Sequence, residues 1–377
     1  MVRIDSAVVA RADTAARAIA PLAPELERAR RLTPPAVQAL VASGIPKIFV
    51  PLAYGGAEAS VPTALSAIEA FARADGSAGW CAMISATSGL MSAFLPDAEA
   101  RRIFTADDVI TAGVFAPMGR ARPVEGGHRV TGRWTFGSGC QHASWCMGGA
   151  LVEGESSVRS FVFPASALII HDTWDTVGMR GSGSHDFEVR DAFVPSELSF
   201  SLTGEAPRHD GPLYRQPFFG ALAAGVAAVA LGVARTAHET LLALAMSKQP
   251  AGSRRTLAHR ELVQLSAARA EAMIAAARAH LWDVVEAAAL ETERLGQPSV
   301  LARARVRMAA CHAVAESARA VDLAYEAGGG SSIYSASPLA RCFRDVHVAT
   351  QHVMVSATSA TMAGKVLLGL ELDHGLL

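Results

Sequence analysis

The chain has 377 residues, 51% of them apolar and 18% charged, with a formal net charge of -1. That length exceeds one typical core, so two or three packed units are expected. The near-neutral balance excludes a protein held to nucleic acid through its phosphate backbone: the Arg-rich stretches (Arg101-Arg102, Arg254-Arg255, Arg303 to Arg307) sit among acids or alanines and read as solvated helix faces. The first residues, MVRIDSAVVARADTAARA, carry charges throughout and lack an apolar core with a cleavage site. The expectation is a cytoplasmic protein without a signal peptide.

From Ser6 to about Phe104 the pattern is helical, with alanine-rich amphipathic segments broken at Pro21, Pro24, Pro34-Pro35 and Pro51. TPPAVQALVASGI reads as a capped helix with Thr33 before Pro34 and Gly44 at its end, and VPTALSAIEAFARADGSAGW as another helix running into Trp80. From about Asp108 to Phe200 that periodicity gives way to β-branched and aromatic residues between Gly, Pro and Asp turns. Six short strands are predicted there (VITAGVF, HRVTGRWTF, SWCMGGALV, VRSFVFPA, LIIHDTW and HDFEVRDAFVP), forming a small antiparallel sheet or barrel. Trp134 and Phe136 lie two residues apart, so a strand would turn both rings to one face, and the neighbouring glycines would let a ligand approach Ser138 closely.

Four long alanine-rich stretches follow, Gln216 to Lys248, Ala258 to Leu295, Ser299 to Ala327 and Pro338 to Leu370, with breaks at Pro250, Pro298 and Gly328 to Gly330. A four-helix bundle packs them naturally. The charge-free run Phe218 to Ala234 is shorter than the ~20 residues a membrane span needs and rich in Gly and Ala, which fits a buried helix at a tight helix contact. The expected domains are 1–107 (helical), 108–205 (β) and 206–377 (bundle). The five cysteines, Cys81, Cys140, Cys146, Cys311 and Cys342, are scattered without a CxxC pair, which argues against a disulfide framework or a zinc site.

Over essentially its whole length the chain resembles the acyl-CoA dehydrogenase fold family: mainly α, with an N-terminal helical domain, a middle antiparallel β-domain and a C-terminal four-helix bundle. GVFAPMG (113–119) is similar to the loop that runs along the flavin edge in that family, which implicates Phe115 and Ala116. GRWTFGSG is similar to the following strand at flavin N5, which implicates Trp134, Phe136 and Ser138. WDTVGMRGSGSHDFEVRDAFVP resembles the middle-domain signature, and YEAGGGSSIYSASPLARCFRDVHVATQH the entry to the last helix.

A dehydrogenase of this family needs a carboxylate to remove the proton alpha to the thioester carbonyl. The two stretches matching the family's base positions, Val355 to Ser359 (VSATS) and Leu222 to Ala230 (LAAGVAAVA), contain no acid. The last helix carries His352 instead. This and the SGCxHAxW pattern from Ser138 to Trp145 resemble the oxygenase components of two-component flavin monooxygenases, of the 4-hydroxyphenylacetate, steroid-phenol, indole and dibenzothiophene hydroxylase type. The resemblance implies reduced flavin, O2 and a C4a-hydroperoxide, with an aromatic or heteroaromatic substrate. Ring hydroxylation and N- or S-oxygenation stay open, as does FMN against FAD, with FMN favoured.

Within that expectation Ser138 holds flavin N5-H, and His352, with an ordinary pKa of about 6.5, is suited to deprotonate or hydrogen-bond the substrate hydroxyl or N–H. On a continuous last helix His347 would point about 140° away from His352, while Val348, Ser356 and Ser359 would share its face. Trp80, Ile84, Ser88, His142 and Ser356 are the expected substrate-contacting residues. No GxGxxG or GxxxxGK[ST] motif is present for the cofactor phosphate. The resemblance points instead to Arg255 and Ser331-Ser332, meeting the phosphate end across a subunit interface. It also implies a homotetramer and a separate flavin reductase. An acyl-CoA dehydrogenase and a flavin-free scaffold are the alternatives.

Overall fold

A computed structural model describes residues 4–154, 158–372, 375 and 377; Met1 to Arg3, where the reading of the N-terminus starts, lie outside them. The first layer holds α1 (Ser6–Ile19), α2 (Ala23–Ala29), α3 (Pro34–Ala42), α4 (Val61–Ala74), α5 (Gly76–Ser88) and α6 (Asp97–Phe104). Caps delimit them: the Asp5 carboxylate accepts from Ala7 N and Val8 N, and Asp75, which ends α4, accepts from Ala78 N and starts α5. α5 is buried along its whole length. It therefore supplies side chains to the interior.

The middle layer comprises β1 (Thr111–Val124), β2 (Gly127–Trp134), β3 (Trp145–Val152), β4 (Val158–Pro164), β5 (Ile169–His171), β6 (Asp186–Pro195) and β7 (Ser199–Phe200), in one seven-stranded sheet of order β5-β6-β2-β1-β3-β4-β7. The expected antiparallel sheet is corrected in one place: β1 and β3 pair in parallel. After the β1–β2 hairpin the chain crosses through residues 135–144 to reach the other edge of β1, and such a crossover reverses strand direction relative to a hairpin.

Trp134 fills the sheet interior. Its indole stacks on Phe187 (centroids 5.2 Å apart, 18° between planes), and its Nε1 donates to the Gly149 carbonyl at 2.8 Å. A Cβ at Gly119, Gly132 or Gly148 would meet the indole at 2.6 Å, so three neighbouring strands leave a slot only glycines allow.

The third layer holds α7 (Phe218–Ser247), α8 (Glu261–Leu295), α9 (Val300–Gly328), α10 (Pro338–Ala349) and α11 (Ala357–Leu367). α7 is long and apolar enough to cross a membrane by length and composition, and 83% of its most apolar window is buried inside the protein. The first three bundle helices follow the sequence pattern, but the expected fourth is interrupted. His352 (ψ 132°) and Ser356 (ψ 165°) are extended, and Ser356 caps α11 by accepting from Ser359 N. The shared-face argument for His352, Val348, Ser356 and Ser359 therefore fails, because no single helix carries them.

The layers meet under one turn. The Asp345 carboxylate on α10 accepts from Met179 N at 2.6 Å, and the Arg341 guanidinium lies 3.8 Å from Asp75 at the start of α5. A Cβ at Gly178 would fall 2.3 Å from the Arg344 carbonyl, so the β-domain turn rests directly on α10. Burial, and then the neighbouring Asp75 carboxylate, push Asp345 to a pKa of about 7.

Candidate active site

The site is built where β1, the loop after β2, α5 and the break between α10 and α11 converge. Along β1 the pairing with β3 jumps from Val114↔Gly148 to Pro117↔Gly149, so Phe115 and Ala116 bulge out of the ladder. Gly149 packs against them so closely that a Cβ there would sit 2.1 Å from the Phe115 carbonyl. The predicted flavin-edge residues are thus the bulged ones.

After Trp134 the chain leaves the strand. Phe136 is left-handed (φ 62°) and 66% exposed, so it does not share a face with the fully buried Trp134. The predicted contact of Trp134 with a cofactor is corrected accordingly, because its ring is enclosed by glycines, Phe187 and Phe163. The loop beyond is tied to the segment before β6, with Gly137 N donating to the His185 carbonyl (2.9 Å) and Gly139 N to the Ser182 carbonyl (3.1 Å).

Ser138 is buried in that loop. Its Oγ accepts from Trp80 Nε1 at 3.0 Å and lies 2.6 Å from Ser184 Oγ. Ser184 Oγ is 2.7 Å from Ser182 Oγ, which donates to the Met179 carbonyl at 2.7 Å. Ile84 and Ser88 follow Trp80 at helical spacing on α5, both buried.

The Trp80 ring stands edge-on to His352, with centroids 5.4 Å apart and planes at 72°. His352 Nδ1 accepts from Met354 N at 3.3 Å, which assigns the ring proton to Nε2. Burial, and then the Arg307 guanidinium, depress its pKa to about 4. At neutral pH His352 is an uncharged Nε2–H donor. Of the two expected roles, deprotonating the substrate group or hydrogen-bonding to it, this geometry favours hydrogen bonding, since a group with that pKa and that tautomer accepts protons poorly at pH 7.

Arg307 holds the break in place. Its guanidinium donates to the carbonyls of Met354 and Phe219 and to Ser359 Oγ, each at 3.4 Å. The residue is 1% exposed, which overturns its reading as part of a solvated Arg-rich face. Its alanine-rich surroundings hid it, because α9 is buried on more than one side.

The remaining predicted residues separate. His142 lies on the turn after Ser138, its N–H on the Gly139 carbonyl; burial lowers its pKa to about 4, and its buried Nε2 has no hydrogen-bond partner among the described residues. Ser356 serves as the α11 cap. Ser332 is buried with its hydroxyl on the Tyr325 carbonyl (2.7 Å), Ser331 is half-buried beside it, and Arg255 is exposed in the loop before α8. None of these three hydrogen-bonds to the Trp80–Ser138 group among the described residues.

Sequence reasoning assigned no role to Ser182 and Ser184, although both stand in the quoted GMRGSGSHDFEV stretch. It also missed Phe218 and Phe219, whose rings stand edge-on to Phe115 (centroids 4.4 and 6.0 Å apart). The same two residues line a cavity of about 830 Å³ together with Leu90, Phe94, Tyr214 and Arg303. Its walls combine these aromatic and aliphatic side chains with polar ones, Glu205, Arg215, Gln216 and Arg303 among them.

The donor set suits a flavin. It offers a bulged backbone edge, an exposed ring at Phe136, a buried hydroxyl with a spare lone pair and a neutral imidazole N–H. Among the described residues no carboxylate hydrogen-bonds to this group.

Comparison with known proteins agrees with this chemistry. Residues 8–97 match the acyl-CoA dehydrogenase N-terminal domain, and residues 224–357 match the acyl-CoA dehydrogenase C-terminal domain. An indole-3-acetate monooxygenase of Pseudomonas putida is 32% identical, over 92% of this chain and 89% of its own length. The oxygenase component of an FADH2-dependent resorcinol hydroxylase from a Rhizobium strain is 30% identical, over 92% and 90%. The crystal structure of 3-HSA hydroxylase from Rhodococcus sp. RHA1 superposes with a TM-score of 0.92 at 26% identity, covering 98% of both chains.

Proposed function

The chain belongs to the acyl-CoA dehydrogenase fold family, among the oxygenase components of flavin-dependent monooxygenases, and from that premise we propose that it hydroxylates a phenol- or indole-type aromatic with reduced flavin delivered by a separate reductase. The observation that carries this reading is a buried hydroxyl and indole beside a half-buried imidazole, with no carboxylate among the described residues bonded to them, where an acyl-CoA dehydrogenase would need a base.

Bound reduced flavin supplies the electrons that activate O2 and delivers one oxygen atom to the substrate. The chain's own residues bind, orient and exclude water. The Phe115–Ala116 bulge would line the flavin edge, exposed Phe136 would cover it, and Ser138 would accept the N5 hydrogen of the reduced form. His352 Nε2–H would donate to a substrate oxygen and so orient the ring toward the reacting atoms. Apolar walls from α5 and from Phe218 and Phe219 keep water from the reacting atoms. Reduced FMN is the proposed cofactor and FAD the alternative, with Arg255 and Ser331-Ser332 the proposed phosphate ligands from neighbouring copies of a homotetramer.

The test supplies photoreduced FMN or FAD anaerobically, then 18O2 and a panel of phenols and indoles, and follows label in the product by mass spectrometry. One 18O atom per product molecule is expected. Bleaching of protein-bound oxidised flavin by an acyl-CoA under anaerobic conditions, with no labelled aromatic product, would replace the reading by a dehydrogenase.

A further inference from the structure

The three serines beneath Trp80 form a chain of hydrogen bonds that runs in one direction only. At one end the indole Nε1–H of Trp80 can only donate, and its acceptor is Ser138 Oγ at 3.0 Å. At the other end the Met179 carbonyl can only accept, and its donor is Ser182 Oγ at 2.7 Å. Between them lie the contacts Ser138–Ser184 at 2.6 Å and Ser184–Ser182 at 2.7 Å. Each hydroxyl owns one proton. With the Ser182 proton on the carbonyl, Ser184 must donate to Ser182 and Ser138 must donate to Ser184. Every proton is then committed, and Ser138 keeps only one lone pair for anything else.

All four groups are rigidly held. Ser138, Ser182 and Ser184 are each at most 4% exposed, so water cannot substitute for a broken link. Met179, at the end of the chain, is itself fixed by its N–H on Asp345, and its carbonyl also takes Trp174 Nε1 at 2.9 Å. Turning the Ser138 proton outward would leave two oxygens 2.6 to 2.7 Å apart with no proton between them, at one of the serine contacts or between Ser182 Oγ and the Met179 carbonyl.

We propose that Ser184 and Ser182 are positioning residues that make Ser138 an acceptor only, so that the site selects flavin bearing hydrogen on N5 over oxidised flavin, whose N5 requires a donor. The inference rests on the assignment of Ser138 to N5 made above. Its content is the direction of a hydroxyl, dictated two and three residues away from the cofactor. Selection at this atom makes the free protein ignore oxidised flavin in its surroundings while it captures the reduced form.

The experiment is anaerobic equilibrium titration of the full chain with dithionite-reduced FMN or FAD and, separately, with the oxidised form, giving the ratio of the two Kd values. In Ser184→Ala the Ser138 proton is released and can donate to oxidised N5. Oxidised flavin is then expected to bind tighter by roughly 2- to 10-fold, the worth of one neutral hydrogen bond, with reduced flavin nearly unchanged. Ser184→Thr, which restores the hydroxyl, is expected to recover the wild-type ratio. Ser182→Ala is expected to act like Ser184→Ala, and it replaces that variant if thermal denaturation shows Ser184→Ala to be unfolded. An unchanged ratio in both alanine variants, with Ser138→Ala altering it, would overturn the proposal while leaving Ser138 at N5. If Ser138→Ala also leaves both constants unchanged, the assignment of Ser138 itself is wrong and the proposal goes with it.

Discussion

Two buried tryptophans divide this molecule into its scaffold and its chemistry. Trp134 lies in a glycine slot inside the sheet, stacked on Phe187, with its Nε1 on the Gly149 carbonyl. Trp80 lies between α5 and the α10–α11 break, edge-on to His352, with its Nε1 on Ser138 Oγ. Both indoles satisfy their one donor, as buried tryptophans do. They differ in the acceptor. A backbone carbonyl ends the interaction, whereas a hydroxyl passes direction on to its own acceptor, so only the second tryptophan belongs to a network that a ligand can read.

Breaking each region should therefore give different failures. The largest effect is expected for Trp134→Ala, which empties the slot between three strands. A loss of about 3–5 kcal/mol in urea or thermal denaturation is predicted, and a loss below about 1 kcal/mol would mean that the slot collapses freely.

The crevice should also respond to pH where the sheet interior does not, since Trp134 is surrounded by rings, glycines and a carbonyl. The His352 pKa is about 4 in the folded chain and about 6.5 when unfolded, so the unfolded state binds the extra proton as pH falls. Its contribution to stability is therefore complete above about pH 6.5 and is lost between about 6.5 and 4, on the order of 1–2 kcal/mol by pH 5. Folding free energies measured from pH 8 to 5 should fall less steeply in His352→Gln than in wild type. Identical slopes would say that His352 is not desolvated. The glutamine, which keeps an N–H donor, should also retain more hydroxylation than His352→Ala. Equal activities of the two variants would remove the donor role.

The smallest effect is expected for Trp80→Phe. The ring and its packing on His352 stay while one neutral hydrogen bond to Ser138 goes, costing about 1 kcal/mol in chemical denaturation. A cost as large as that of Trp134→Ala would place Trp80 in the scaffold and erase the distinction between the two regions.

Much of the architecture was legible in the chain because it depends on local periodicity. The 3.6-residue repeat of small apolar residues marks α4, α7, α8 and α9 within a few residues, whereas the single helix expected from Val61 into Trp80 is divided at Asp75 into α4 and α5; the period-2 alternation marks most strands. The expected site residues were partly legible as well. Phe115 and Ala116 are the bulge of β1, Trp80 and His352 meet, and Ser138 joins them. Trp134 was misplaced because strand alternation was extended through Phe136, where a positive φ ends it. The last helix was drawn too long because no glycine or proline marks a break across residues 350–356, and a cap by Ser356 together with a buried arginine from α9 holds the chain out of the helix there.

By itself the sequence determined the layer order, the absence of an acid at the two positions a dehydrogenase would use, and the placement of glycine, serine and histidine near one another in motif space. These are properties of short segments, and short segments carry their own patterns. Only the tertiary structure decided that His352 Nδ1 accepts from Met354 N and so holds its proton on Nε2, that Arg307 is interior, and that Ser138 Oγ meets Ser184 Oγ. A proton's position is set by whichever acceptor stands within 3 Å, and here the partners of Ser138 arrive from positions 46 and 58 residues away along the chain.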